Sequence, residues 1–156
     1  MSSNRALANS DLSPSVAAAA AAAKAQGQPL RLVVTTGVSL EVRISHIGRD
    51  YVAGDLDTSE GVSVIIPSMS IVVLDGAGLI GLESEDTNKP PARSQFLAMV
   101  TNSQRLFHRV IVHTAVGNHT GAITSVARDA IVVSSYSTQQ RLVLIRHIVW
   151  ISVLDQ

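Results

Sequence analysis

Apolar and polar residues alternate with a period of two through much of this chain. Over residues 38–47, Val38, Leu40, Val42 and Ile44 fall on one face and Ser39, Glu41, Arg43 and Ser45 on the other. A pleated strand turns successive side chains to opposite faces, so this alternation predicts a half-buried strand. Leu30, Leu32 and Val34 open a strand before it. Further strands are predicted over residues 50–53, 62–66 and 71–74, with a polar loop at 55–61 and a break at Pro67. Five short strands separated by turn residues point to a small barrel.

The same grammar returns later. Strands are predicted over residues 110–113, 117–123, 130–133, 142–145 and 148–154. Ile44-Ser-His-Ile47-Gly-Arg49-Asp50 matches Ile123-Thr-Ser-Val126-Ala-Arg128-Asp129 at an offset of 79 residues. Ile71-Val-Val-Leu-Asp75 matches Ile151-Ser-Val-Leu-Asp155 at an offset of 80. A shared Arg-Asp step at matched points of matched strand patterns is the mark of an internal repeat.

Two stretches lack the strand period. Ser13-Pro14 is a helix start, residues 17–23 are all alanine, and Gly27 with Pro29 makes a stop. Alanine favours helix but buries little area, so this helix docks weakly. A second helix is predicted over residues 92–106, with Phe96, Leu97, Val100 and Leu106 as its apolar positions, covering an open end or edge of a barrel. The predicted organisation is therefore residues 1–28 as an Ala-rich helical segment, 29–76 as a first barrel, 77–107 as linker and helix, and 108–156 as a second barrel. The fold class is mainly β with α.

Charge separates the two repeats. Residues 1–88 carry five basic and ten acidic side chains, and residues 89–156 carry seven basic and two acidic ones, while the whole chain is neutral. Halves of opposite sign suit different partners, or self-association of an acidic first barrel with a basic second one. Cysteine is absent, which removes disulfides, thiolate metal sites and cysteine nucleophiles and fits a cytoplasmic location. No stretch of about 20 strongly apolar residues is present to span a membrane, and Asp11, Pro14 and several serines argue against a signal peptide.

Candidate chemistry is sparse. Gly76-Ala-Gly78-Leu-Ile-Gly81 has dinucleotide-site spacing, but two prolines follow at 90 and 91 before a long helix can open, so no nucleotide cofactor is expected. The five histidines (46, 108, 113, 119 and 147) have no metal-ligand spacing, and no metal is expected. No nucleophile elbow or paired-carboxylate site emerges, and the expectation is a protein that is not an enzyme. Asp50 and Asp129 read as turn caps that accept from backbone N–H groups, with Arg49 and Arg128 outside.

The stretch Gly121-Ala-Ile-Thr-Ser-Val-Ala-Arg-Asp-Ala-Ile-Val-Val133, followed by Leu144-Ile-Arg-His-Ile-Val-Trp-Ile151, resembles the Sm-like fold, including its bacterial Hfq branch. The Arg146-His147 pair is similar to the Lys-His step that Hfq proteins carry before their last strand. The layout of two tandem modules with a helix between them is similar to a group of actinobacterial proteins that sometimes bear a "Fis family" label. The resemblance implies two five-stranded Sm-like (SH3-like) barrels and RNA binding. The first unit has Pro67-Ser68 where the second has His147-Ile148, so it lacks the basic pair.

Single-stranded RNA is thus one expected partner, held by Arg109, His119, Arg128, Arg141, Arg146 and His147 of the second barrel. The alternative is a protein–protein adaptor or self-assembling module that binds no nucleic acid.

Overall fold

The computed structural model describes residues 11–75, 95–106, 108–135 and 139–154. The Gly76–Gly81 motif, Phe107, Tyr136 and Asp155 lie outside them. Helix α1 (Pro14–Gln26) begins as its sequence dictates: the Ser13 hydroxyl accepts from the Val16 N–H (3.2 Å). It ends at Gly27, whose left-handed φ of 64° lets its N–H reach the carbonyls of the last turn. Ala19, Ala20 and Ala23 face the protein, and the helix lies against the second strand.

Five strands follow: β1 (Leu30–Val34), β2 (Ser39–Ile47), β3 (Tyr51–Leu56), β4 (Val62–Pro67) and, after a 3-10 turn at Ser68–Ser70, β5 (Ile71–Asp75). Helix α2 (Gln95–Arg105) leads to β6 (Arg109–Thr114), β7 (Gly117–Val126), β8 (Ala130–Ser134) and β9 (Gln140–Leu144). A matching 3-10 turn at Ile145–His147 precedes β10 (Ile148–Leu154). In β2 the alternation is realised, with Leu40, Val42 and Ile44 buried. Val38 departs from it, because it sits in the turn ahead of the strand and is exposed.

The pattern predicts two separate barrels. Among the described residues, hydrogen bonding makes ten antiparallel strands in one open sheet, ordered β5-β1-β2-β3-β4-β10-β6-β7-β8-β9. Each half contributes five neighbouring strands, and the halves meet where β4 pairs with β10, Ile65 opposite Ile151 and Val64 opposite Ser152. The repeat is visible in the bulges. The β2–β3 register shifts between Ile44 and His46, and the β7–β8 register between Ile123 and Ser125.

One part of the sequence repeat is corrected. Ser68 N–H donates to the Asp50 carbonyl and Ile145 N–H to the Asp129 carbonyl, both at 2.8 Å. Ser68 therefore corresponds to Ile145, and Ile71 to Ile148, not to Ile151. Arg146-His147 corresponds to Met69-Ser70, and His147-Ile148 to Ser70-Ile71, not to Pro67-Ser68. A run of apolar residues in a buried strand can slide along a similar run without visible mismatch; backbone hydrogen bonds set the true register.

Two cores flank the junction, and each borrows from the other half. The first packs Leu32, Val42, Val64 and Ile66 with Val149 and Trp150 of β10. The second packs Val112, Ile131, Val143 and Ile151 with Phe96 and Val100 of α2, and with Tyr51, Ala53 and Ile65 of the first half. Helix α2 lies across β7, its Gln104 amide donating to the Thr124 carbonyl (3.0 Å). Leu106, expected on its apolar face, falls in the turn after it and is exposed.

Candidate functional site

Strand β9 pairs with β8 and forms one end of the sheet. Beside it lies a groove of about 540 Å³ lined by Thr114, Ala115, Val116, His119, Arg141, Leu142, Val143, Leu144 and His147. Most of its wall is apolar, and Val116 (93% exposed) and Leu142 (67%) present large hydrophobic groups to solvent there. A smaller hollow continues from it past Asn118, Thr120 and Gln139, again reaching His119 and Arg141.

The basic side chains are placed by strand geometry. His119 projects from β7, and Arg141 from β9. Arg141 Nη1 lies 3.3 Å from His119 Nδ1. A guanidinium has no acceptor, so this bond requires the imidazole to accept through an unprotonated Nδ1. His147 arrives from the 3-10 turn that follows β9. Of the six basic residues that the sequence nominates, these three share one groove. Arg146 precedes His147 on the same exposed turn. Arg128 is exposed in the turn beyond the far end of β7, and Arg109 opens β6 half-buried, opposite Ala122 and Leu154.

The two Arg-Asp steps differ from one another in their surroundings. Asp50 is buried, and its Oδ1 accepts from the Phe96 N–H at the start of α2 (2.8 Å), so it caps a helix. Arg49 is not outside: its guanidinium pairs with Asp11 (3.0 Å), and its N–H donates to Gln95 Oε1 (2.6 Å). Asp129 is exposed, with its carbonyl taken by Ile145. Asp11, the partner of Arg49, precedes α1, which packs on β2 of its own half, and no ion pair of Arg128 occurs among the described residues.

Sequence reasoning missed a polar chain at the junction. His113 stacks on Trp150 with ring centroids 3.8 Å apart. His113 Nδ1 lies 3.0 Å from Asn118 Oδ1 and Nε2 lies 2.8 Å from Ser152 Oγ. Burial lowers the His113 pKa below the ordinary imidazole value, and the Asn118 bond partly opposes this. The neutral ring that donates from Nδ1 and accepts the Ser152 hydroxyl proton at Nε2 satisfies both partners. The order hydroxyl–imidazole–amide is one that a nucleophile would need, but Ser152 is buried in β10 between β4 and β6, and neither hollow reaches it. The Ser152 bond joins residues 39 apart in sequence, and no local pattern marks it.

No group of three or more His, Asp or Glu side chains capable of holding a metal occurs among the described residues. No helix among them is long and apolar enough to cross a membrane. No family model, curated protein or solved structure matches this chain.

Proposed function

We propose that this chain is a non-catalytic binding module, built from two Sm-like small barrels, that takes an extended strand along its β9 edge in an adaptor or assembly role. One observation carries this reading: a sheet edge with no pairing strand among the described residues borders an apolar groove with Val116 and Leu142 exposed in it. Edge strands offer a ladder of free N–H and C=O groups, and added strands gain affinity from that ladder and specificity from side-chain pockets. The bulges that bend β2 and β7 support the barrel reading of each half.

The test is selection of displayed peptides on the full chain, with Leu142→Lys as the control. Extended apolar peptides retained by the wild type and lost by the variant are expected. No such peptide, together with no self-association, would end the reading.

A second reading, contact with single-stranded RNA, is favoured by the meeting of His119, Arg141 and His147 at one groove. Arginine forks match phosphate, and such binding weakens steeply with salt. Fluorescence anisotropy of labelled RNA at low and moderate salt tests it. Salt-sensitive binding that is lost in the Arg141→Ala/Arg146→Ala variant is expected on this reading, and equal binding by that variant would remove it.

A further inference from the structure

The first half of the chain shows how a strand sits in a groove of this kind. The registers of β3 with β4 and of β8 with β9 match Val64, Ile65 and Ile66 with Arg141, Leu142 and Val143. Those of β1 with β2 and of β6 with β7 match Val34 with Thr114 and Leu40 with His119. In the first half, Val34, Leu40, Val64 and Ile66 pack with Val149 and Trp150 of β10. Their counterparts Thr114, His119, Arg141 and Val143 line the groove beside β9. The β4–β10 junction is therefore a template for a strand laid along β9.

What changes between the two sockets specifies the occupant. Ile65 and Ile66 become Leu142 and Val143, so the socket stays apolar there. Val64 and Leu40 become Arg141 and His119, whose side chains touch (3.3 Å). The groove lining holds these two and His147 but no Asp or Glu, and no ion pair of Arg141 occurs among the described residues. A guanidinium so placed offers its fork of donors to a carboxylate.

Transposing the junction gives the register. Antiparallel β10 sets Ile151 opposite Ile65 and Ser152 opposite Val64. A strand on β9 in the same register sets one residue opposite Leu142 and the next opposite Arg141. Directly opposed residues on antiparallel strands share a face with Cβ atoms about 5 Å apart, within reach of an ion pair. The residue before these two takes the place of Trp150 and covers Val143. At the internal junction Ser70 Oγ donates to the Val149 carbonyl. His147 holds the place of Ser70 in the second 3-10 turn, where a ring N–H can serve the matching carbonyl of the bound strand.

We infer that the strand taken by the β9 edge is an acidic segment of a partner protein, in which two consecutive apolar residues are followed by Asp or Glu. The second apolar residue lies against Leu142, and the carboxylate lies against Arg141 beside His119. This rests on the strand-docking reading above and names the partner's chemistry. The chain's own outer strand β5 is a poorer occupant, because its one acid, Asp75, is opposite Arg31 of β1 with the charged groups 4.0 Å apart.

Fluorescence anisotropy of a labelled synthetic peptide, Gly-Ser-Val-Phe-Val-Glu-Ser-Gly, titrated with the full chain tests this. Two further peptides serve beside it: one with Lys in place of Glu, and one of the same composition with Glu moved ahead of the apolar residues. Circular dichroism checks the fold of each protein variant. The first peptide is expected to bind, and both others to bind more than about tenfold more weakly, since like charges placed opposite one another repel and a misplaced acid cannot reach Arg141. Arg141→Glu, a change at an exposed position, should reverse the preference between the Glu and Lys peptides. Equal binding of the three peptides overturns the acidic partner while leaving strand docking intact, and so does a preference that Arg141→Glu does not alter. Binding of none of them by the folded chain also overturns it. Displayed peptides without an acid that are still retained would then keep the strand-docking reading, and a chain that sediments as a multimer would give the edge to a second copy.

Discussion

Single side chains carry the couplings between distant parts of the sequence. Asp50 is one: its carboxylate holds the first turn of a helix that begins 45 residues later. Asp50→Ala leaves a buried N–H without its acceptor, and a loss of about 1–3 kcal/mol in urea unfolding is expected, with Asp50→Asn retaining part of it. His113 is another. Its pKa is depressed in the folded chain, so the unfolded chain binds the proton more readily. The stability from burying the neutral ring is fully present above the ordinary imidazole pKa of about 6.5 and is lost as pH falls through the lower folded value. Thermal unfolding followed from neutral to acidic pH should show this decline, and His113→Phe should flatten it. An unchanged slope in that variant would show that burying His113 does not cause the decline. At this scale the sequence was legible in part. The Arg-Asp repeat marks a real structural correspondence, but its two copies do different work, because the neighbours that decide that work come from elsewhere in the chain.

Among the elements, the helices differ in what they bury. Helix α1 presents alanines, whose small area gives little hold on β2. Helix α2 inserts Phe96, which is almost fully buried, into the second core. Phe96→Ala is expected to cost about 3–5 kcal/mol, read as a lower urea midpoint, well above the roughly 1 kcal/mol expected for removing the Ser13 cap by Ser13→Ala. The strands were the most legible elements, since alternation and turn residues locate them directly. Register was less so. The stretch Ile71–Asp75 could be aligned with β10 three residues out of place, because both are nearly continuous apolar runs. Only the Ser68 and Ile145 hydrogen bonds settle it.

For the molecule as a whole, the decisive feature is that each half completes the other. Trp150 belongs to a strand of the second half, packs in the core of the first, and stacks on His113 behind it. Trp150→Ala should therefore destabilise the whole sheet by about 3–5 kcal/mol, with far-UV circular dichroism still showing one cooperative transition. Two separate transitions would mean that the halves fold independently. The groove belongs to this scale as well. His119, Arg141 and His147 were nominated for their charge, alongside three others that lie elsewhere. That these three meet, and meet beside exposed Val116 and Leu142, depends on how β7, β9 and the second 3-10 turn come together.

Strand content, the two helices, the internal repeat and the charge contrast between halves were determined by local composition and periodicity, which act through neighbouring residues along the chain. The joining of β4 to β10, the exchange of Trp150 and Tyr51 between cores, and the unequal ends of the sheet were decided only by tertiary structure. The physical reason is that a strand's pairing partner is chosen by non-local hydrogen bonds and packing, and alternation alone reports which face is apolar without reporting what will cover it.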